Sequence, residues 1–236
     1  MRFFDREIEF EKLREIEDLS HEVAQFTIIT GRRRVGKTEM VKKFYENRTM
    51  LYFFVARKAE ADLCEIFVDE IRTKLGIPML DSKGMSFAAV FKFIMELCQT
   101  QHINLFIDEF QEFFKVNKSV YSDMQRIWDK YHTVAHINLI VCGSIYSMMK
   151  RIFENGDEPL YGRRDSNMRL LPFSISTLNQ ILADHNPNYV AEDLLCLYML
   201  TGGVAKYVAL LMDAKATTKD KMLRCALAPD SPFLSE

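Results

Sequence analysis

Apolar and polar residues fall along this chain in blocks of two kinds. Short, wholly apolar runs stand at "QFTIIT" (25–30), "MLYFFVA" (50–56), "INLFID" (103–108) and "INLIVCG" (137–143). Their β-rich composition and length predict four buried strands. Between them the pattern turns to helical spacing. "EIEFEKLREIEDL" places Ile8, Leu13, Ile16 and Leu19 along one helix, and "TEMVKKFYEN" predicts another. Two more helices are expected near 60–75 and 86–100, separated by the turn-rich "GIPMLDSKG", and a further one near 121–133. Strands that are apolar throughout and alternate with helices predict an α/β fold, a parallel sheet covered on both faces in three layers. After about residue 172 only helical patterns follow: "SISTLNQILAD", "AEDLLCLYML", "VAKYVALLMD" and "KDKMLRCALA". The expected division is a core over 1–171 and a small all-helical subdomain over 172–236.

Composition narrows the classes. A hydrophobic share of 48% with 27% charged residues fits a globular protein with a real core. A net charge of -2 removes the broad basic coat of a dedicated nucleic-acid binder and leaves only local patches. The N-terminal stretch is too charged for a signal peptide, and no apolar run approaches a membrane span. The 5 cysteines are widely spaced with no CxxC, so a cytoplasmic protein without disulfides or membrane contact is expected. His132 and His136 have helical spacing but no evident third partner for a metal.

The chemistry is concentrated at 31–38. Gly31-Arg32-Arg33-Arg34-Val35-Gly36-Lys37-Thr38 satisfies G-x-x-x-x-G-K-[ST], directly after an apolar strand and directly before a helix. In that context Gly36 allows close backbone approach to phosphate oxygens, and successive N–H groups together with the helix N-terminus point at an anion. The phosphate-binding segment is expected to extend to Glu39. Lys37 carries a point charge to the β- and γ-phosphates, and Thr38 offers a hydroxyl to Mg²⁺. The second half of the site is "NLFIDE" (104–109), a strand whose tip presents Asp108 for the metal and Glu109 to polarise an attacking water. Adjacent Asp and Glu favour ATP hydrolysis over phosphoryl transfer to another substrate, and no NKxD guanine-reading pattern is present. The strand 50–56, lying in the chain between the two motifs, marks the additional-strand branch of such ATPases. Ser144, at the end of the next strand, suits either a sensor of the γ-phosphate or an N-cap for "IYSMMKRIF".

The arginines raise a separate question, since a loop that binds phosphate through its backbone needs none of them. Three readings stay open: a solvated basic rim, a contact with the helical lid or a neighbouring subunit, and a contact with nucleic-acid phosphate. Arg163, in the pair after "PLYG", is the candidate arginine finger, from the same chain or a neighbour. The alternative is a surface ion pair with Asp157, Glu158 or Asp165. The aromatic runs "YFF" and "EFQEFF" are expected to pack the sheet.

Taken together, "FFDREIEFEKL", "GRRRVGKT", "LFIDEFQEF", "LIVCGSIYSMM", "PLYGRRDSNMRLLPFS" and "LTGGVAKYVALL" resemble the archaeal-type P-loop ATPase family over nearly the whole chain. The resemblance implies an AAA+/STAND-like ATPase core that binds ATP or ADP with Mg²⁺. Members usually continue into winged-helix and nuclease-like domains. The chain stops at "SPFLSE", where such a continuation would begin, so an ATPase core alone is expected. Self-association, or a protein or DNA partner reached through the missing domains, is what the family pattern implies. One departure stands out: the family's GG-x-P-x-Y segment reads Gly202-Gly203-Val204-Ala205-Lys206-Tyr207, with alanine for the proline that couples the lid to the nucleotide. Arg6, near the N-terminal block, is a candidate for the adenine pocket. Two functions follow as expectations: an ATP hydrolase using Lys37, Thr38, Asp108, Glu109, Ser144 and Arg163, or a slow nucleotide-gated switch acting on a partner.

Overall fold

A computed structural model describes residues 1–78 and 80–233. The expected part of the lid at 234–236 lies outside the described residues. The chain divides into two compact units, one of them made of Ile8–Gly31 and Lys37–Arg169, the other of Met1–Glu7, Arg32–Gly36 and the chain from Leu170 onward.

The first unit holds the sheet. Its strands are β1 (Gln25–Gly31), β2 (Leu51–Phe54), β3 (Ile103–Asp108), β4 (Ile137–Cys142) and β5 (Ser166–Leu170), in the spatial order β2-β3-β4-β1-β5. The pairs β1–β4, β2–β3 and β3–β4 are parallel. β1, β3 and β4 are buried almost throughout, which is why the sequence shows them as unbroken apolar runs. β5 was not expected. Only Met168 and Leu170 of its "SNMRL" are buried, so an edge strand with alternating exposure hides inside a polar stretch. β2 separates the two motif strands in the chain but sits at the sheet edge, whereas β4 separates them in space.

The two faces of the sheet differ in chemistry. One carries Phe26, Ile28, Phe53, Leu105, Ile107, Leu139 and Val141 into the main core. There it meets α3 (Glu60–Leu75), α4 (Phe87–Leu97) and α6 (Val120–Tyr131), with Phe53 stacked on Phe67 at 4.2 Å between ring centres. Removing these rings from water is the main stabilising term on this side. The other face is mixed. Asn138 donates to the Tyr45 hydroxyl at 2.7 Å, Asn104 donates to the Glu17 carboxylate at 3.1 Å, and Arg48 closes the network onto Glu17. These groups join the sheet to α1 (Glu7–Ser20) and to the chain after α2 (Lys37–Phe44). The first helix turns Leu13, Ile16, Glu17 and Ser20 inward and leaves Ile8 and Leu19 exposed, so its buried stripe is narrower than the spacing suggested.

The remaining elements of the first unit are α5 (Phe113–Val116), after a 3-10 turn at Phe110–Glu112, and α7 (Tyr146–Glu154). The second unit contains α8 (Ile175–His185), α9 (Ala191–Thr201), α10 (Ala205–Asp213) and α11 (Lys219–Ala226). Its own core is built on Leu178, Ile181, Leu197, Val208, Leu211 and Met222. Ser174 caps α8 by accepting from the Thr177 N–H at 3.1 Å.

Candidate functional site

Parallel strands bring their C-terminal ends to one edge, and the motif residues gather there. Register sets Asp108 of β3 level with Phe54 of β2, and the period of two puts Tyr52, Asp108 and Cys142 on the face that carries α2. Asp108 is almost fully buried and accepts four hydrogen bonds. Oδ2 receives the Thr38 hydroxyl at 2.7 Å and the Tyr52 phenol at 3.1 Å. Oδ1 receives the Cys142 thiol at 2.7 Å and the Glu109 N–H at 2.9 Å. Burial, then the Asp108 charge, pushes the Cys142 thiol well above its ordinary range, so it faces Asp108 as a neutral donor. Burial and the same carboxylate also raise the Tyr52 phenol.

Lys37 is buried beside the loop, and its ammonium donates to the Gly31 carbonyl at 3.1 Å. Gly36 has φ +99°, a conformation glycine adopts without strain. Glu39 lies exposed in the first turn of α2.

Glu109 follows Asp108 out of the strand with φ 53° and ψ 40°, a left-handed conformation that costs a non-glycine residue roughly 1–3 kcal/mol. The turn is fixed by the Glu112 N–H donating to the Glu109 carbonyl at 2.8 Å. The Glu109 carboxylate takes two donors on one oxygen: the Ser144 hydroxyl at 2.9 Å and the Gln111 amide, both on Oε2. Ser144 therefore serves Glu109. The N-cap position of α7 is Ile145, without a side-chain bond, so the capping alternative for Ser144 is not realised.

The structure does not bring Arg163 to this edge. Arg163 grips Asp129 of α6 with two bonds of 2.9 Å, a partner other than Asp157, Glu158 or Asp165. Asp165 and Phe26 exchange backbone and side-chain bonds of 2.8 Å at the start of β1. Five residues of strand at about 3.3 Å each separate that point from Gly31 by about 16 Å, so Arg163 stands at the opposite edge of the sheet.

Within the second unit, Arg34 adopts φ 68° and donates to the Tyr207 hydroxyl at 3.3 Å, while its carbonyl accepts from the Lys206 N–H at 3.2 Å. The last arginine of the run thus meets the segment that carries alanine in place of proline. Arg32 and Arg33 are exposed. Arg6 is buried in the same unit, donating to the Leu171 carbonyl at 2.8 Å and lying over the Phe173 ring.

Sequence reasoning missed three residues of the site: Tyr52, Cys142 and Gln111. Tyr52 read as packing, and Cys142 read as strand. Gln111 carried one usable signal, a neutral polar residue inside the aromatic run "FQEFF".

Comparison with known proteins gives the family. Residues 3–211 match the model of an ATPase domain found predominantly in Archaea, and the chain belongs to that family. An uncharacterized protein of Methanocaldococcus jannaschii is 28% identical over 206 residues, covering 87% of this chain and 43% of the relative. The chain therefore spans under half of that relative's length. Among solved structures, a Walker-type ATPase of Pyrococcus abyssi aligns with a TM-score of 0.72 at 19% identity, over 94% of this chain and 71% of that one. The ORC2 protein of Aeropyrum pernix, solved as ADPNP and ADP complexes, aligns with a TM-score of 0.64 at 16% identity, over 92% and 66%. The fold is that of the P-loop ATPases. No helix among the described residues is long and apolar enough to cross a membrane.

Proposed function

We propose that this member of the archaeal ATPase-domain family hydrolyses ATP with Mg²⁺ at the C-terminal edge of its sheet. The observation that carries the reading is the union of Thr38 and Asp108 at 2.7 Å with Glu109 turned out of the same strand tip. The donor set suits Mg²⁺. A hydroxyl and a carboxylate are hard oxygen ligands of the kind Mg²⁺ takes. Mg²⁺ held by few protein oxygens would complete its shell with phosphate and water. Bound there, Mg²⁺ would neutralise charge on the β- and γ-phosphates.

The chain's own residues then divide the work. The backbone of 31–38 and the Lys37 ammonium hold the phosphates, with Lys37 exchanging its bond to the Gly31 carbonyl for phosphate oxygen. Thr38 and Asp108 hold the metal. Glu109 orients and deprotonates the attacking water, and Ser144 fixes the carboxylate that does so. Tyr52 and Cys142 keep the Asp108 plane in one orientation. Arg163 has no part in this mechanism within one chain. As a residue offered to a neighbouring chain, it would make turnover per chain rise with protein concentration. Residues 172–236 form the proposed lid subdomain, through which nucleotide state would be passed to a protein or DNA partner in the cytoplasm.

The test is ATP turnover with and without Mg²⁺, for the wild type and Lys37→Ala. Metal-dependent turnover lost in the variant supports the reading. Turnover indifferent to both would sink it.

A further inference from the structure

We propose that Gln111 is the positioning residue of Glu109, selecting which carboxylate oxygen takes the water proton. This rests on the reading of Glu109 as the general base. The Gln111 side chain is almost fully buried, with its amide Nε2 donating to Glu109 Oε2. Ser144 donates to the same oxygen at 2.9 Å. No donor among the described residues reaches Glu109 Oε1. Two donors thus immobilise one oxygen and leave the other as the acceptor, which is the division a general base needs.

The surroundings show what this placement displaces. Gln111 Oε1 is buried with no hydrogen-bond partner, a cost that stability alone would remove by placing an apolar residue there. The reverse orientation of the amide would set its oxygen against the Glu109 carboxylate, so the orphan cannot be relieved by turning the group over. Space for the amide comes from Gly143. A Cβ on Gly143 would lie 2.3 Å from Gln111 Oε1 and 2.5 Å from Met149 Sδ. The glycine at 143 thus leaves room for both the amide beside Glu109 and the Met149 side chain. Backbone geometry adds to this, since Phe110–Glu112 is a 3-10 turn starting from left-handed Glu109, which swings residue 111 back toward residue 109.

The experiment compares Gln111→Met, Glu109→Gln and the double variant with the wild type, measuring kcat, the KM for ATP and the thermal midpoint. Methionine keeps the length and fills the space but can neither donate nor leave an orphan oxygen. The expected result is a kcat lower by about ten- to a hundred-fold with KM little changed, a thermal midpoint level with the wild type or above it, and no further loss when the change is added to Glu109→Gln. Activity and stability moving in opposite directions is the signature of a residue kept for positioning. A Gln111→Met protein as fast as the wild type would overturn the proposal. So would a fall in kcat matched by a fall in thermal midpoint, or an additive loss in the double variant. If the wild type itself shows no Mg²⁺-dependent turnover, the reading of Glu109 fails and this inference falls with it. If the wild type turns over and Glu109→Gln is idle while Gln111→Met is not impaired, the role of Gln111 alone is wrong.

Discussion

Thr38 and Asp108 stand 70 positions apart in the chain, and their side chains meet hydroxyl to carboxylate at 2.7 Å. That bond joins the end of the phosphate loop to the tip of β3. It follows from a sheet whose parallel strands all end at one edge. Asp108→Asn keeps the shape and breaks the chemistry. On the Oδ1 side the new NH₂ would face the Glu109 N–H, which cannot accept; on the Oδ2 side the Thr38 and Tyr52 hydroxyls must turn to accept from it and give up their charge-assisted bonds to the carboxylate. The variant should lose about 1–3 kcal/mol of stability. It should also lose the Mg²⁺-dependent part of any thermal shift given by ATP. Melting curves with nucleotide, with and without the metal, read both effects.

Gly143→Ala should disturb the site without touching its chemical groups. The added Cβ would sit 2.3 Å from Gln111 Oε1, so the amide, Met149 or the backbone must move. A cost of about 1–3 kcal/mol is expected for such overpacking. In the background of Gln111→Ala, where the amide is gone and only Met149 still obstructs, the same change should cost less, and a double-mutant cycle of unfolding energies measures that coupling.

The cysteines report on packing. Burial pushes the Cys64 and Cys98 thiols up to about 12, while Cys225 on α11 is only partly buried. The thiolate is the reactive form. Iodoacetamide at pH 8 should therefore modify Cys225 first and leave Cys64 and Cys98 intact until the protein unfolds, as read by mass spectrometry of digested protein.

His102 makes stability depend on pH. Burial, then the neighbouring His21 and His136, lowers it from 6.5 to about 4. Its ring stacks on His21 at 3.7 Å and shares a 2.8 Å bond with the Ser20 hydroxyl. Because the folded value lies below the unfolded one, the unfolded chain binds the extra proton first as pH falls. This contribution is fully present above about pH 6.5 and is lost progressively down to about pH 4. His102→Gln should flatten the thermal midpoint across that window relative to the wild type.

Much of this could be read in the sequence, and the exceptions have physical reasons. The apolar runs of β1, β3 and β4 are legible because both faces of these strands are covered, and the 31–38 segment is legible because its glycines and lysine fall in a fixed pattern directly between an apolar run and a helical one. β5 was lost because only two of its five residues are buried. Tyr52 was lost because an aromatic in a strand looks like packing until the register shows its hydroxyl beside Asp108. Arg163 looked like a finger from its neighbourhood in the chain, and only the pairing of Asp165 with Phe26 reveals that it stands at the other end of β1. Gln111, and the partner that Ser144 takes, depend on a left-handed Glu109, a backbone state that the local residues do not announce.

The most direct test of the central claim is Mg²⁺-dependent ATP turnover of the wild type beside Glu109→Gln, with ATP binding measured for both. The wild type should turn over, and the variant should bind ATP as well but be slower by about a hundred-fold or more. Equal rates in the two proteins, with ATP bound by both, would contradict it and leave a nucleotide-gated switch as the function of this site.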